Sequence, residues 1–310
     1  MIRGLGAAGP VMAVLLALVA LWAVAVVPMN IRLALSQAER AGAAVVPEGA
    51  VARQAVPVWR LVAANTFAIP GTYALDRPRL PAPHQVWRDF SDNTFGRAVT
   101  SKRSLVYHGW VTLAAALNGF ALGTALGILL AVGIVYARVM EMGVMPLAII
   151  SQTVPIVAIA PMIIVLVAAL GVEGRAVPKA IISAYLCFFP ILVGMVKGLR
   201  SPDTMKLDLL RTYSASGAQT FWKLRVPASL PYLFASLKVG AAAALVGTIV
   251  GELPTGAVEG LGARILIGDQ FGTPVQIWSA LFATAILAGA WIGLLNLVER
   301  LVRWRMGARA

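Results

Sequence analysis

Trp110-Val-Thr-Leu-Ala-Ala-Ala-Leu-Asn-Gly-Phe-Ala-Leu-Gly-Thr-Ala-Leu-Gly-Ile-Leu-Leu-Ala-Val-Gly-Ile-Val-Tyr136 carries no charged side chain from end to end. A bilayer crossing takes about 20 apolar residues in a helix, so this run is expected to span a membrane. Gly119, Gly123 and Gly127 are four apart and share one helix face, where the missing side chains let a neighbouring helix approach closely. That face is expected to be a packing seam.

Similar apolar runs lie on both sides of this stretch, at residues 10–28, 145–170, 180–196, 232–253 and 277–298. The chain is 59% hydrophobic and 13% charged, with a mean hydropathy of +0.83, whereas soluble domains carry about 25% charged residues. A soluble fold is excluded on that balance, and the expectation is an all-α membrane protein with about six transmembrane helices. The net charge of +13 would suggest nucleic acid in a soluble chain. Here the basic residues fall in loops and tails beside apolar runs, which membrane topology explains, and no nucleic-acid partner is expected.

The loop at residues 197–225 and the C-terminal tail hold six and four basic residues, against two and one in the loops at 171–179 and 254–276. By the positive-inside rule both termini and the 197–225 loop face the cytoplasm. Arg3 before the first run fits an uncleaved start-transfer helix. The expected organisation is an anchor at 1–28, a polar periplasmic segment at 29–107, a permeation core at 108–300 and a basic tail at 301–310 that ends in Arg309. Within the polar segment, residues 58–67 are too short to span and are expected to form a surface helix or a packed loop.

Chemistry-bearing residues are sparse in the spans. Gln152, Pro155 and Pro161 interrupt the third span, and such irregularity in a membrane is tolerated against protein or a water-filled cavity. These three are candidates for lining a translocation path, though a kink that only packs explains them equally. Glu252, followed by Pro254, Thr255 and Gly256, is either a gating or binding group of that path or a hydrated helix end, the second being expected. Asn118 and Gln152 are accounted for by interhelical hydrogen bonds. His84 and His108 are placed outside the spans without partners at ligand spacing, and Cys187 sits in an apolar run as a packing residue, so neither a metal nor another cofactor is expected. Titratable groups do not converge near mid-membrane, which argues against an embedded hydrolase.

The stretch Asp208-Leu-Leu-Arg-Thr-Tyr-Ser214-Ala-Ser-Gly217-Ala-Gln-Thr-Phe-Trp-Lys-Leu224-Arg-Val-Pro227-Ala-Ser-Leu-Pro231 begins helical, turns small and polar at 214–217, and resumes until two prolines stop it. It is expected to be a short helix, a tight bend and a second short helix outside the bilayer. Such a pair either docks in a groove on a partner or rests on lipid headgroups.

This stretch resembles the EAA loop of ABC importer permeases: Glu-Ala-Ala, three residues, Gly, nine residues, Ile, one residue, Leu-Pro. Asp208 stands at the Glu, Leu209 and Leu210 at the two Ala, Ser214 at the Gly, Leu224 at the Ile, and Val226 with Pro227 at the Leu-Pro. With serine in the glycine position, Gly217 beyond Ala215 is expected to supply the freedom of the bend. Leu80-Pro-Ala-Pro83, the proline-bearing third span, and Gly251-Glu-Leu-Pro254 with Gly260-Leu-Gly262 are similar to the nitrate/sulfonate/taurine-type branch, and the likeness covers residues 78 to 300. It implies a MetI-like architecture and a homodimeric pore in the lipid bilayer. A cytoplasmic ABC ATPase would rest on each EAA loop, and a periplasmic substrate-binding protein would deliver a small solute. The chain has no Gly-x-x-x-x-Gly-Lys-Ser/Thr phosphate loop, so ATP hydrolysis belongs to another polypeptide and the chain itself is no enzyme. The rival reading is an ion-coupled secondary transporter, which would need repeated broken helices and an intramembrane acidic pair.

Overall fold

A computed structural model describes residues 3–254 and 256–306; Thr255, Arg309 and the side chain of Arg3 lie outside that description. The regular elements among the described residues are all helices, without a strand: α1 (Arg3–Arg40), α2 (Ala50–Ala55), α3 (Val58–Ala64), α4 (Ile69–Thr72), α5 (Pro83–Thr94), α6 (Leu105–Tyr136), α7 (Arg138–Ser151), α8 (Ile156–Ala169), α9 (Ala176–Leu199), α10 (Thr204–Thr212), α11 (Gly217–Thr220), α12 (Val226–Glu252), α13 (Leu261–Gln270) and α14 (Pro274–Arg305). Among the described residues five stretches are long and apolar enough to cross a membrane, and the pair α7 and α8, bent by 103° at its break, gives up to six.

Two compact units divide the chain: residues 1–99 with 265–282, and residues 100–264 with 283–310. The division differs from the expected organisation, because part of the 254–276 loop and the start of α14 join the amino-terminal unit. In that unit α1 does not end with the apolar run at Pro28 but continues to Arg40. Packing explains the extension. Asn30 is fully buried and receives the backbone N–H groups of Arg79 and Leu80 while donating to the carbonyls of Thr72 and Leu80. Ile31 and Leu35 build a small core with Val45, Leu61 and Ala68, so residues 58–67 become α3 and a 3₁₀ turn packed on α1. Arg53, 1% exposed, pairs with Glu39 at 2.6 Å and donates to the carbonyl of Pro47, which satisfies an otherwise costly buried charge. Trp22 stacks on Trp278 and Phe282 with centroids 5.0 and 5.7 Å away.

In the second unit α9 lies between α6 and α12. A Cβ added at Gly119, Gly123 or Gly127 of α6 would collide with Ser183, Cys187 or the Phe188 carbonyl of α9. On the other side, one at Gly194 or Gly198 of α9 would collide with Ser236 or Ser229 of α12. Both contacts follow the membrane rule that small residues bring backbones together, since lipid offers no hydrophobic drive for association. Ser183 adds a hydrogen bond of 2.9 Å to the Ala244 carbonyl. The third span is not one kinked helix: α7 ends at Ser151, Pro155 is the N-cap of α8, and Pro161 lies inside α8. The missing N–H of Pro155 is harmless at a helix start, where it would have no intrahelical acceptor.

Candidate functional site

The end of the second unit that holds the carboxyl end of α9 and the amino end of α12 also carries the connecting loop. Asp203 caps α10, its carboxylate accepting from the Met205 N–H at 3.3 Å. The helix leaves through a Schellman turn, with Ala215 N–H to the Leu210 carbonyl at 2.9 Å and Ser214 N–H to the Arg211 carbonyl at 2.8 Å. That turn places its next residue in the left-handed region, and Ser214 takes it with φ 55°. Gly217 does not supply the bend as expected; it is the first residue of α11. Ser216 caps α11 in a reciprocal box with Gln219, at 3.2 and 2.8 Å.

The second limb also departs from expectation, for the prolines do not stop it. Residues 221–225 form a π turn, in which the Val226 N–H reaches the Phe221 carbonyl, and α12 follows directly. A one-residue widening is a known accommodation for a proline just downstream, and Pro227 sits in the first turn, where its missing N–H matters least. The limb is thus continuous with a membrane-length helix over Gly217–Glu252. Arg225 fixes its direction, donating to the Leu199 carbonyl at 2.7 Å with its guanidinium 5.9 Å from the Tyr136 ring. Phe221 packs against the core that contains Ile134, Leu192 and Leu199. Met205, Leu209, Tyr213 and Trp222 are instead exposed, Tyr213 to 77%. Leu210 and Ala215 are half-buried, and Asp208 reaches Arg211 at 3.1 Å.

A second constellation lies at the opposite ends of the same helices. Glu252 is fully buried, not a hydrated helix end. It accepts from the Thr112 hydroxyl at 3.0 Å, from Lys179 Nζ at 3.3 Å and from the Gly262 N–H at 2.7 Å. Thr112 in turn accepts from the Leu261 N–H at 2.8 Å. His108 lies inside α6, not outside the span, and is 1% exposed. Its Nδ1 accepts from the Gly260 N–H at 3.0 Å and its Nε2 faces the Lys102 carbonyl at 2.9 Å, a pairing that assigns the proton to Nε2. Gly260 has φ 124°, and a side chain there or at Gly262 would enter the space of the Glu252 carboxylate. Outside the spans, Lys102 bonds Glu259 at 3.1 Å. The Tyr107 hydroxyl, then Lys102, hold the Glu259 carboxyl below its ordinary range, and Glu259 holds the Lys102 ammonium above its own.

The candidate path residues do not form one group. Gln152 and Pro155 occupy the break between α7 and α8, and Pro161 is exposed on α8. Among the described residues the Gln152 side chain bonds only the neighbouring Ser151 hydroxyl at 3.4 Å and the Asn118 side chain shows no hydrogen bond, so bonding between helices of this chain explains neither. Glu252 instead joins α6, α9 and the segment leading into α13. Sequence reasoning missed Thr112, Lys179 and Arg225. Lys179 was counted as a loop cation, although it stands directly before an apolar run, and that position is the signal that could have paired it with the lone acid at the end of the fifth span.

Residues 123–306 match the binding-protein-dependent transport system inner membrane component family. The chain is 32% identical, over 73% of its length and 86% of the relative's, to the formylaminopyrimidine transport permease protein ThiX of Halalkalibacterium halodurans. It is 36% identical, over 64% of its length and 72% of the relative's, to the riboflavin transport system permease protein RibX of Chloroflexus aurantiacus. Against the putative aliphatic sulfonates transport permease protein SsuC of Bacillus subtilis identity is 26%, over 64% and 70%. With membrane-length helices in place and a match across more than half of its residues, the chain belongs to the family of binding-protein-dependent transport system inner membrane components, the permeases of ABC importers.

Proposed function

We propose that the chain is the pore-forming subunit of an ATP-driven importer, that two copies form the pore, and that residues 204–226 are the seat of a cytoplasmic ABC ATPase. One observation carries this reading: a capped helix, a Schellman bend and a second limb that runs unbroken into α12. Its exposed apolar set of Met205, Leu209, Tyr213 and Trp222 fits a groove on a partner, since an amphipathic helix buries such a face on docking. Phe221 and Arg225 tie the same limb inward, so displacement of the seat moves α12 with it. A periplasmic binding protein supplies the solute, a small compound of the kinds named for its relatives, and both termini lie in the cytoplasm.

The test is co-purification. Leu209→Arg with Trp222→Ala should strip the ATPase from the solubilised permease while leaving its own melting temperature within a few degrees. Undiminished retention would refute the seat. The secondary-transporter alternative predicts uptake in membranes depleted of ATP but holding an ion gradient.

A further inference from the structure

Two charges stand far apart in the sequence, each inside a membrane-length helix. Lys238 is the one charged residue of α12 between Arg225 and Glu252, and Glu299 is the one acid of α14. A charge placed within such a helix is costly and calls for a partner or a function. The two lie 61 residues apart and meet: Lys238 Nζ donates to Glu299 Oε2 at 2.5 Å. Arg303, one turn further along α14, holds the other carboxylate oxygen at 2.5 Å. Each oxygen thus has its own cation, so the Glu299 side chain, 12% exposed, is already oriented where Lys238 reaches it.

The packing around the pair decides its use. Trp291 of α14 is buried among Ala116 of α6 and Ala241, Ala244 and Leu245 of α12, with Leu287 and Leu295 beside it. Elsewhere α14 is little covered, for only 6% of its most apolar stretch is buried within the chain. Apolar contact between helices in lipid has neither a hydrophobic drive nor a direction, and the alanines of α12 offer a smooth bed, so this contact tolerates sliding. A slide of one helical turn is about 5.4 Å, enough to separate an ion pair of 2.5 Å. Ion pairs removed from water add little stability over an apolar pair of similar size, and fixing register is their best-attested use. Lys238 also stands twelve residues beyond Val226, about 18 Å along the helix into which the loop at 204–226 runs.

We propose that Lys238 and Glu299 are positioning residues that key α14 to α12 in a single register, with Arg303 orienting the carboxylate. A displacement that enters α12 from the loop at 204–226 then carries α14 with it as one body. This rests on the importer reading and adds to it a second span driven from the ATPase seat.

The experiment uses the full chain with its co-purified ATPase in lipid nanodiscs. Spin labels are placed at Val246→Cys on α12 and Trp304→Cys on α14, both exposed, and labelled chain is diluted with unlabelled chain. Native Cys187 is fully buried and out of the label's reach. Double electron–electron resonance reads the distance between the labels. With Lys238 and Glu299 in place there should be one distance, the same with and without ATP and vanadate. Lys238→Met with Glu299→Gln removes both charges and strands neither, so that chain should fold with a melting temperature within a few degrees of the parent. It should show a second distance displaced by about 5 Å, one helical turn, whose share grows when ATP and vanadate are added. Lys238→Arg, which keeps the charged donor, should retain the single distance. A single unchanged distance in the double variant, or a parent distance that moves with nucleotide, overturns the proposal. A chain that never retains an ATPase refutes the importer reading instead, and the nucleotide-free distances still decide whether the two helices are keyed.

Discussion

Ser214 shows what a single position demands. The Schellman exit of α10 forces a left-handed residue there, and φ 55° carries a Cβ penalty that glycine avoids. Ser214→Gly should therefore stabilise the α10–α11 bend by about 1 kcal/mol, and Ser214→Val should destabilise it by more. Amide exchange at Ala215 and Ser216 reads both changes. The bend falls at Ser214, where the aligned pattern has glycine, whereas Gly217 begins α11. At the other end, Glu252 and Lys179 are 0% and 6% exposed, so removing either partner strands a buried charge. Lys179→Met or Glu252→Ala should each destabilise the chain by about 3–5 kcal/mol, and the double variant should recover much of that loss. Unfolding in a denaturing detergent measures it; additive losses would contradict the pairing. Neither partner was legible as a pair, because they lie 73 residues apart and meet only through the packing of α9 on α12.

Among the elements, the seam between α6 and α9 was readable because its signal is local: three glycines at a spacing of four mean one face. The direction of the loop was not. Prolines at 227 and 231 ordinarily end a helix, and only the π turn at 221–225, which has no sequence signature, lets α12 begin there. A stiff limb needs a fixed bearing, and Arg225 supplies it by bonding the last carbonyl of α9. Arg225→Ala should leave the ATPase bound yet lower solute transport about tenfold per ATP hydrolysed, consistent with a charged hydrogen bond worth about 1.5–3 kcal/mol. Proteoliposome uptake measured beside ATP turnover separates the two quantities. Gly123→Leu belongs to the same scale, and should abolish the α6–α9 contact and with it the yield of folded chain.

For the molecule as a whole, hydropathy was enough to announce an all-α membrane protein, and the spacing from Asp208 to Pro227 was enough to suggest its family. What it could not disclose was the polar network around Glu252, built from residues on separate helices, or the extension of α1 to Arg40, which depends on the tertiary role of Asn30. The exposed Lys102–Glu259 pair sets a pH signature for that end. Glu259 is lowered, so its contribution is present above the ordinary carboxylate pKa of about 4.3 and fades as pH falls through the folded value. Lys102 is raised, so its contribution is present below about 10.4 and fades as pH climbs through the folded value. Thermal unfolding should therefore show a gap between wild type and Glu259→Gln across the neutral range that closes at both extremes; a gap that persists in acid would assign the difference to packing. The glycine faces have one more bearing, on descent. Positions 119, 123 and 127 tolerate no side chain against α9, so mutation is barred there while the exposed positions Trp110, Asn118 and Arg175 stay open to it. Paralogues would be expected to diverge at such exposed positions and to keep the helical sandwich itself unchanged.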